Sequence, residues 1–396
     1  MIPVEEAVQR VTAAFSPVAS ETVPIARAAG RVLAEDVIAR LDQPPFPVSA
    51  MDGYAVRTAD VANAPVVLNV IGAAPAGLPF AAEVHPGEAV RIFTGGVVPR
   101  GADTIIIQEN TDRGDPRVTV RASSSAGKHI RPAAQDFCCG DVLVKASERL
   151  TARDLALIAA GDVPEVTVRR RPRVVVAATG DELSRPGEPH KPGGIVASSV
   201  YGLCASIGQW GGEARDLGIL PDRMEAIAQI ADNAADADLI VTLGGASVGD
   251  HDLIQRALGP KGFVLDFWKI AMRPGKPLIF GRLDNTPLLG LPGNPVSAYV
   301  CTLLFVKPAL AALLGATTES EVLMARLTIP MTANDSRQDY VRARSSYRAG
   351  ELWAEPLPVQ DSSMQKALAD ADVLIIRAPH APAACEGESV PVIRLE

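Results

Sequence analysis

The chain has 396 residues, 47% hydrophobic and 21% charged, a compact globular composition too long for one ordinary core, so two to four domains of roughly 100–150 residues are expected. Its formal net charge of −8 argues against a nucleic-acid partner, because polyanion binding relies on a broad positive field. The cysteines Cys138, Cys139, Cys204, Cys301 and Cys385 have no CxxC spacing and read as free thiols of a reducing compartment.

At the N-terminus, Glu5 and Glu6 come early and no apolar export core follows. Pro3 with Val4, Ala7, Val8 and Val11 predicts an amphipathic first helix that docks on another element. Between about Leu41 and Gly140 the runs Val66–Ile71, Ala89–Phe93 and Thr104–Ile107 alternate with glycine and proline turns, which reads as an all-β module. Thr151–Gly161 is helical again, so the module reads as an insertion between helical flanks. From Arg173 strands and helices alternate: strands at Val174–Ala177, Asp216–Leu220, Leu239–Thr242, Phe263–Phe267, Pro277–Phe280 and Leu288–Leu291, helices at Ser198–Ile207 and Met224–Ala234, and a long apolar helix after Asn294. Continuous apolar strands separated by helices predict a mostly parallel sheet covered on both faces, with ligands at the carboxyl ends of its strands. Beyond about Thr317 short strands return, including Val322–Ile329 and Val373–Arg377, as a small C-terminal β domain. The longest apolar run, Val296–Val306, stops at Lys307-Pro308, short of the ~18–20 residues of a membrane span. A soluble cytoplasmic protein with no membrane partner is expected.

The densest chemistry lies at Gly244-Gly245-Ala246-Ser247-Val248-Gly249-Asp250-His251-Asp252, directly after the Leu239–Thr242 run. A buried strand emptying into a glycine-rich loop ahead of a helix brings backbone N–H groups to an oxyanion. Asp250 and Asp252 at the same mouth would repel a bare anion, so a bridging divalent cation reconciles the two. Thr179-Gly180-Asp181-Glu182-Leu183 follows the strand at 174–178 and puts two acids at a strand end. The plainer alternative is a helix start whose acids complement the macrodipole. Lys269, Arg273 and Lys276 form a cationic segment stiffened by prolines, suited to an oxyanion clamp, where the plainer reading is a solvated turn. Leu291-Pro292-Gly293-Asn294-Pro295-Val296-Ser297-Ala298 is a strand end, turn and helix start, with Asn294 or Ser297 available as cap. Ser49-Ala50-Met51-Asp52-Gly53-Tyr54-Ala55 reads as a stiffened loop carrying one carboxylate, with an Asp-Gly turn as the simpler account; Phe93-Thr94-Gly95-Gly96 is a weaker signal of the same kind. Dispersed histidines and the absence of HExxH, GxxxxGK[ST] and GxSxG disfavour zinc, P-loop and α/β-hydrolase chemistry.

These six segments, in this order, resemble the molybdopterin molybdenumtransferase (MoeA) family, which is similar also to the E domain of gephyrin. The resemblance covers essentially the whole chain. It implies an enzyme of molybdenum cofactor biosynthesis that takes adenylated molybdopterin and molybdate, uses Mg2+ and releases AMP. It also implies a multidomain α/β plus β fold: a helical linking domain at 1–45 and 137–168, an inserted β-rich domain at 46–136, a three-layer α/β molybdopterin-binding domain with a mostly parallel sheet at 169–316, and a C-terminal β-barrel-like domain at 317–396. The resemblance further implies a homodimer with its site between subunits, Asp52 and Thr94 coming from the second subunit and Glu182 and Asp250 being the essential acids and Mg2+ ligands. Thr179, Gly180, Asp181, Gly244, Gly245, Ser247, Gly249, Asp252, Lys269, Arg273, Lys276, Pro292, Asn294 and Pro295 match the pocket, and Arg131 and Asp136 a further family segment. The family's adenylyltransferase and acceptor molybdoenzymes are the implied protein partners. The chain departs from the family pattern at Ala178, Leu243, Ala197 and Ser199, at Ala134-Gln135, and at Asp361-Ser362-Ser363-Met364. These departures keep alive a non-catalytic scaffold or carrier that binds molybdopterin. A single-domain adenylyltransferase is disfavoured by the number of domains and by the Gly-Gly-Ala-Ser-Val-Gly loop.

Overall fold

In a computed structural model describing residues 1–245, 251–317 and 322–395, with His251 and Asp252 as backbone only, a six-stranded sheet forms the middle of the chain. Its order is Glu213–Leu220, Arg173–Thr179, Leu239–Leu243, Thr286–Leu291, Pro277–Leu283, Phe263–Lys269. The first three pairings are parallel and the last two antiparallel. The mostly parallel expectation thus holds except at one edge, where strands Pro277–Leu283 and Thr286–Leu291 are joined by a turn too short for a crossover helix. Side chains alternate along each strand. Val174, Val176, Leu239 and Val241 enter a core shared with helix Ser199–Gln209 and the helical run from Pro295. Val175, Ala177 and Ile240 face helices Met224–Asp232 and His251–Leu258. Burial on both faces is why these strands read as unbroken apolar runs.

The apolar helix after Asn294 continues past Lys307-Pro308 to Leu314, longer than the sequence run predicts. Pro308 has no N–H for the carbonyl one turn back, and Thr302–Val306 widens into a π-helical turn just before it. By length and composition alone Pro295–Leu314 passes as a membrane span, at mean hydropathy 1.8. In the fold, Val296, Val300, Phe305 and Leu310 are packed into the sheet's core. The first helix, Val4–Ala13, docks on the same layer through Val4, Ala7 and Val11.

The inserted β module is a mixed five-stranded sheet in the order Thr104–Ile107, Gly53–Val56, Glu88–Ile92, Val66–Ala74, Arg117–Val120. A bridge between Thr111 and Val120 brings its two edges together. Here the sequence reading needs correction: Gly53–Val56 is an inner strand, every residue buried, and not part of a loop. A Cβ on Gly53 would lie 1.9 Å from the Ile106 carbonyl oxygen, so glycine serves close backbone approach here and not a turn.

Flanking the module, Ser20–Pro24 pairs with Glu165–Arg169 and Val37–Ile38 with Val142–Val144, around a core that includes Leu33, Ile158 and Val168. Helix Ala152–Ala160 closes this unit, started by a capping box between Thr151 and Asp154. At the C-terminal end, Gln338–Arg348, Glu351–Pro356, Val322–Leu327, Ser389–Arg394 and Val373–Arg377 pair in succession, and the last returns to the first. The ring closes around Leu327, Ala343, Ile375 and Val392.

Candidate active site

Strands Arg173–Thr179, Leu239–Leu243 and Thr286–Leu291 end at a cavity of about 610 Å³. Thr179, Gly180, Glu182, Gly244, Gly245, Pro292, Asn294 and Pro295, all expected from the sequence, line it together. The position is the carboxyl-end crevice where open α/β sheets take ligands. Gly244 and Gly245 have φ of +90° and +67°, and a Cβ on Gly244 would lie 2.6 Å from the Thr179 carbonyl oxygen. A side chain there would close the floor. Thr179 is 4% exposed and its Oγ1 has no hydrogen-bond partner among the described residues, a hydroxyl left ready to donate.

The 180–182 segment is a turn leading into the short strand Leu183–Ser184, and no helix starts there. The Glu182 carboxylate packs over Gly180, where a Cβ would sit 2.7 Å from both its oxygens. Asp181 turns aside, its Oδ1 accepting from the Asp222 N–H at 3.3 Å. Asp222 itself lines the cavity, and sequence reasoning passed over it. It follows strand Glu213–Leu220, so the same strand-end rule that singled out Glu182 applies to it.

Two helix starts open on the cavity, those of Ser199–Gln209 and of the run from Pro295, and neither receives a side-chain cap. Asn294, expected to cap, instead donates to Ser362 Oγ at 3.0 Å. Pro295 has no N–H and the Val296 N–H is taken by the Ser362 carbonyl, so of the two it is the Ser199 start whose N–H groups and positive end favour an anion. Ser363 and Gln365 form part of the wall, brought in from the C-terminal ring. No local pattern in the sequence ties them to the glycine loop. The departures Ala178, Ala197, Ser199 and Leu243 all lie on the cavity wall.

The cationic segment is less uniform than its sequence. Arg273 is bound to Asp339 at 2.5 Å and Asp335 at 3.2 Å, which pin it to the C-terminal ring and raise its pKa, Asp339 foremost. Lys269 Nζ sits 3.7 Å from the centre of the Trp268 ring. Lys276 is exposed and adjoins Pro277, which reaches the cavity wall. Ser247, Gly249 and Asp250 lie outside the described residues, as does the Asp252 side chain.

Asp52 and Thr94 do not line this cavity, but they are joined to each other. Asp52 Oδ1 accepts from the Thr94 N–H and hydroxyl, both at 2.8 Å. These two donors hold the Asp52 carboxyl below its ordinary range, the backbone bond contributing most. Arg131 pairs with Val48 beside this arm, whereas Asp136 bonds through its backbone to Gln43. Ala134, in the same departing segment, adopts φ +56°, a conformation better suited to glycine.

Three family models match along the chain: the "MoeA N-terminal region (domain I and II)" over residues 2–161, a "Probable molybdopterin binding domain" over 175–312, and the "MoeA C-terminal region (domain IV)" over 324–395. The sequence is 40% identical over 304 residues to the molybdopterin molybdenumtransferase of Nostoc sp., covering 75% of this chain and 70% of that protein. It is 34% identical over 385 residues to the Bacillus subtilis protein of the same name, covering 95% and 90%. Among solved structures it is similar to a molybdopterin biosynthesis MoeA protein from Pyrococcus horikosii, with TM-score 0.86, 32% identity and coverage of 100% and 99%.

Proposed function

We propose the following reaction for this chain, which belongs to the MoeA family: molybdenum from molybdate is inserted into adenylated molybdopterin, with Mg2+ present and AMP released. The relatives are transferases of molybdenum cofactor biosynthesis by name, and the coarser statement, a molybdopterin molybdenumtransferase, rests on them. The observation that carries the finer reading is the buried Thr179 Oγ1, without a hydrogen-bond partner among the described residues, set between the Glu182 turn and the two-glycine loop in one cavity.

Bringing molybdate to a phosphoanhydride stacks negative charge, which the site must offset in the transition state. The Thr179 hydroxyl donates to one anion, and the helix start at Ser199, which has no side-chain cap, faces the same space. Lys276, next to the wall residue Pro277, supplies a cation, whereas Lys269 over Trp268 and Arg273 on Asp335 and Asp339 line no part of the cavity. Glu182 and Asp222 both line the cavity, and their carboxylates would offer hard oxygens of the kind Mg2+ takes while it keeps waters and shares substrate phosphates. When bound there, the ion supplies charge neutralisation at the leaving phosphate.

The reading includes a homodimer in the cytoplasm whose second subunit brings Asp52 and Thr94 to the cavity. Its support is a fixed carboxylate whose neighbours along the chain, Met51 beside Asp52 and Phe93 beside Thr94, are 41% and 37% exposed, with Phe46 at 58% on the lead into the same segment. Incubation with adenylated molybdopterin, Mg2+ and molybdate tests the reaction through AMP release. Mixing Asp52→Ala with Glu182→Gln subunits tests the shared site: each variant alone is inactive, and the mixture regains turnover because one of its two cavities is intact. Tight pterin binding without AMP release would favour the carrier reading, to which the four departures on the cavity wall lend support.

A further inference from the structure

Beside the cavity lies a second groove of about 430 Å³, between helices Ser199–Gln209, Pro295–Cys301 and Gln365–Ala369. The two spaces share Ser198, Ser199, Pro295 and Gln365 as lining residues. Gln365 Nε2 donates to Ser198 Oγ at 2.7 Å. That bond is therefore a bar across the boundary between cavity and groove, made between the C-terminal ring and a helix start of the α/β layer.

The segment carrying Gln365 is fastened at every step. Gln360 Oε1 accepts from the Arg342 N–H and Nε at 3.0 and 3.3 Å, while Gln360 Nε2 donates to the carbonyls of Arg342 and Leu357 at 2.9 Å each. Asp361 Oδ1 accepts from the Ser363 N–H and hydroxyl at 2.8 and 2.5 Å. Ser362 takes the Val296 N–H on its carbonyl and Asn294 Nδ2 on its hydroxyl, both at 3.0 Å. Arg342 Nη1 donates to the Met364 carbonyl at 3.3 Å. Arg342 is 2% exposed, and no carboxylate ion-pairs with it among the described residues. A guanidinium buried on neutral acceptors is a costly arrangement; here its acceptors all lie in the segment it anchors.

We propose that Gln360–Gln365 is a positioning strap of the active cavity, anchored by Arg342, and that Gln365 is a specificity-determining residue that closes the cavity against the groove and so sets the length of ligand accepted. The strap reaches alternately into the ring, at Gln360 and Met364, and into the α/β layer, at Ser362 and Gln365. Its register fixes where Ser363 and Gln365 stand on the wall. This inference rests on the reaction proposed above only for its kinetic consequence.

Gln365→Ala removes the bar without touching the anchor, and its side chain is exposed, so folding is retained. Losing one such hydrogen bond at the wall is expected to raise KM for adenylated molybdopterin about fivefold, carried by KM and not by kcat. Gln365→Glu, which loses the donor amide but can accept from the Ser198 hydroxyl in the reversed sense, is expected to recover most of that loss. Arg342→Met, of similar length and neutral, is expected to speed hydrogen exchange across 360–366 in the ligand-free protein while exchange in Leu239–Leu243 stays as in wild type. Wild-type kinetics in Gln365→Ala would overturn the specificity role, and unchanged exchange in Arg342→Met would overturn the anchor. If the wild-type protein releases no AMP, the reaction fails as proposed; the strap is then decided by exchange and by a shift in the dissociation constant for molybdopterin in Gln365→Ala.

Discussion

Replacing Gly53 by alanine tests the connection between the β module's core and the Asp52 arm. The added Cβ would stand 1.9 Å from the Ile106 carbonyl oxygen and 2.8 Å from its carbon, and both atoms belong to backbone. Relief requires Gly53–Val56 to move away from Thr104–Ile107 where Gly53 faces Ile107 and Tyr54 faces Ile106. Two ladder hydrogen bonds at ~1 kcal/mol each and overpacking of ~1–3 kcal/mol give a destabilisation of ~3–5 kcal/mol for this module, against which the stiffer unfolded chain recovers less than ~1 kcal/mol. Hydrogen exchange read by mass spectrometry on peptides spanning 53–56 and 104–107 is the assay, with a thermal melt alongside. Exchange should rise there and remain as in wild type across Arg173–Thr179, which belongs to a separate core. Gly202→Ala is the control: it sits in helix Ser199–Gln209 with nothing within 4 Å of a new Cβ, so it should stabilise by up to ~1 kcal/mol. Wild-type exchange and melting in Gly53→Ala would show that close strand approach is not what glycine provides there.

Glu182→Gln should reduce AMP release by ~100-fold or more while leaving the melt unchanged, if Glu182 holds metal or proton in the reaction; turnover within a few-fold of wild type would remove it from the site. The Asp52 carboxyl has its pKa lowered by Thr94, so it favours the native state above the ordinary carboxylate range and that advantage is lost as pH falls through the lowered value. Thr94→Val keeps the backbone donor and loses the hydroxyl, so a carbon NMR titration should show the Asp52 midpoint rising part of the way back; no movement would refute the hydroxyl's contribution. Ala134→Gly relieves a left-handed residue at φ +56° and should raise stability by about 1 kcal/mol, read in a denaturant melt.

The central sheet was legible because burial on both faces writes itself as plain apolar runs, and Val174–Ala177 and Leu239–Thr242 fall inside observed strands. The antiparallel edge was not, since Phe263–Lys269 and Pro277–Leu283 look the same in either direction and only the short connections at 270–276 and 284–285 distinguish them. Gly53–Val56 was misread because an Asp-Gly pair carries the usual signature of a turn, while the reason for this glycine is a carbonyl more than 50 residues away in sequence. The cavity floor came from local grammar, a strand followed by glycine and acid. Ser363 and Gln365 come to it by folding of the C-terminal ring, which leaves no short-range trace. Asp222 was within reach of the same grammar and was hidden by the proline before it.

Ile2 is threaded between Lys269 and Ala271: its N–H donates to the Lys269 carbonyl at 3.1 Å, and its carbonyl accepts from the Ala271 N–H at 2.8 Å. The first residues therefore hold the backbone of a segment argued to handle oxyanions. Purification tags and trimmed termini are usually chosen as if ends were inert, but a fusion placed directly before Met1 begins one residue from this lock. The far end is held too, the Leu395 N–H donating to the Asp372 carbonyl at 2.8 Å beside the groove, so a fusion that is cleaved off is the better reagent for measuring how tightly molybdate is held.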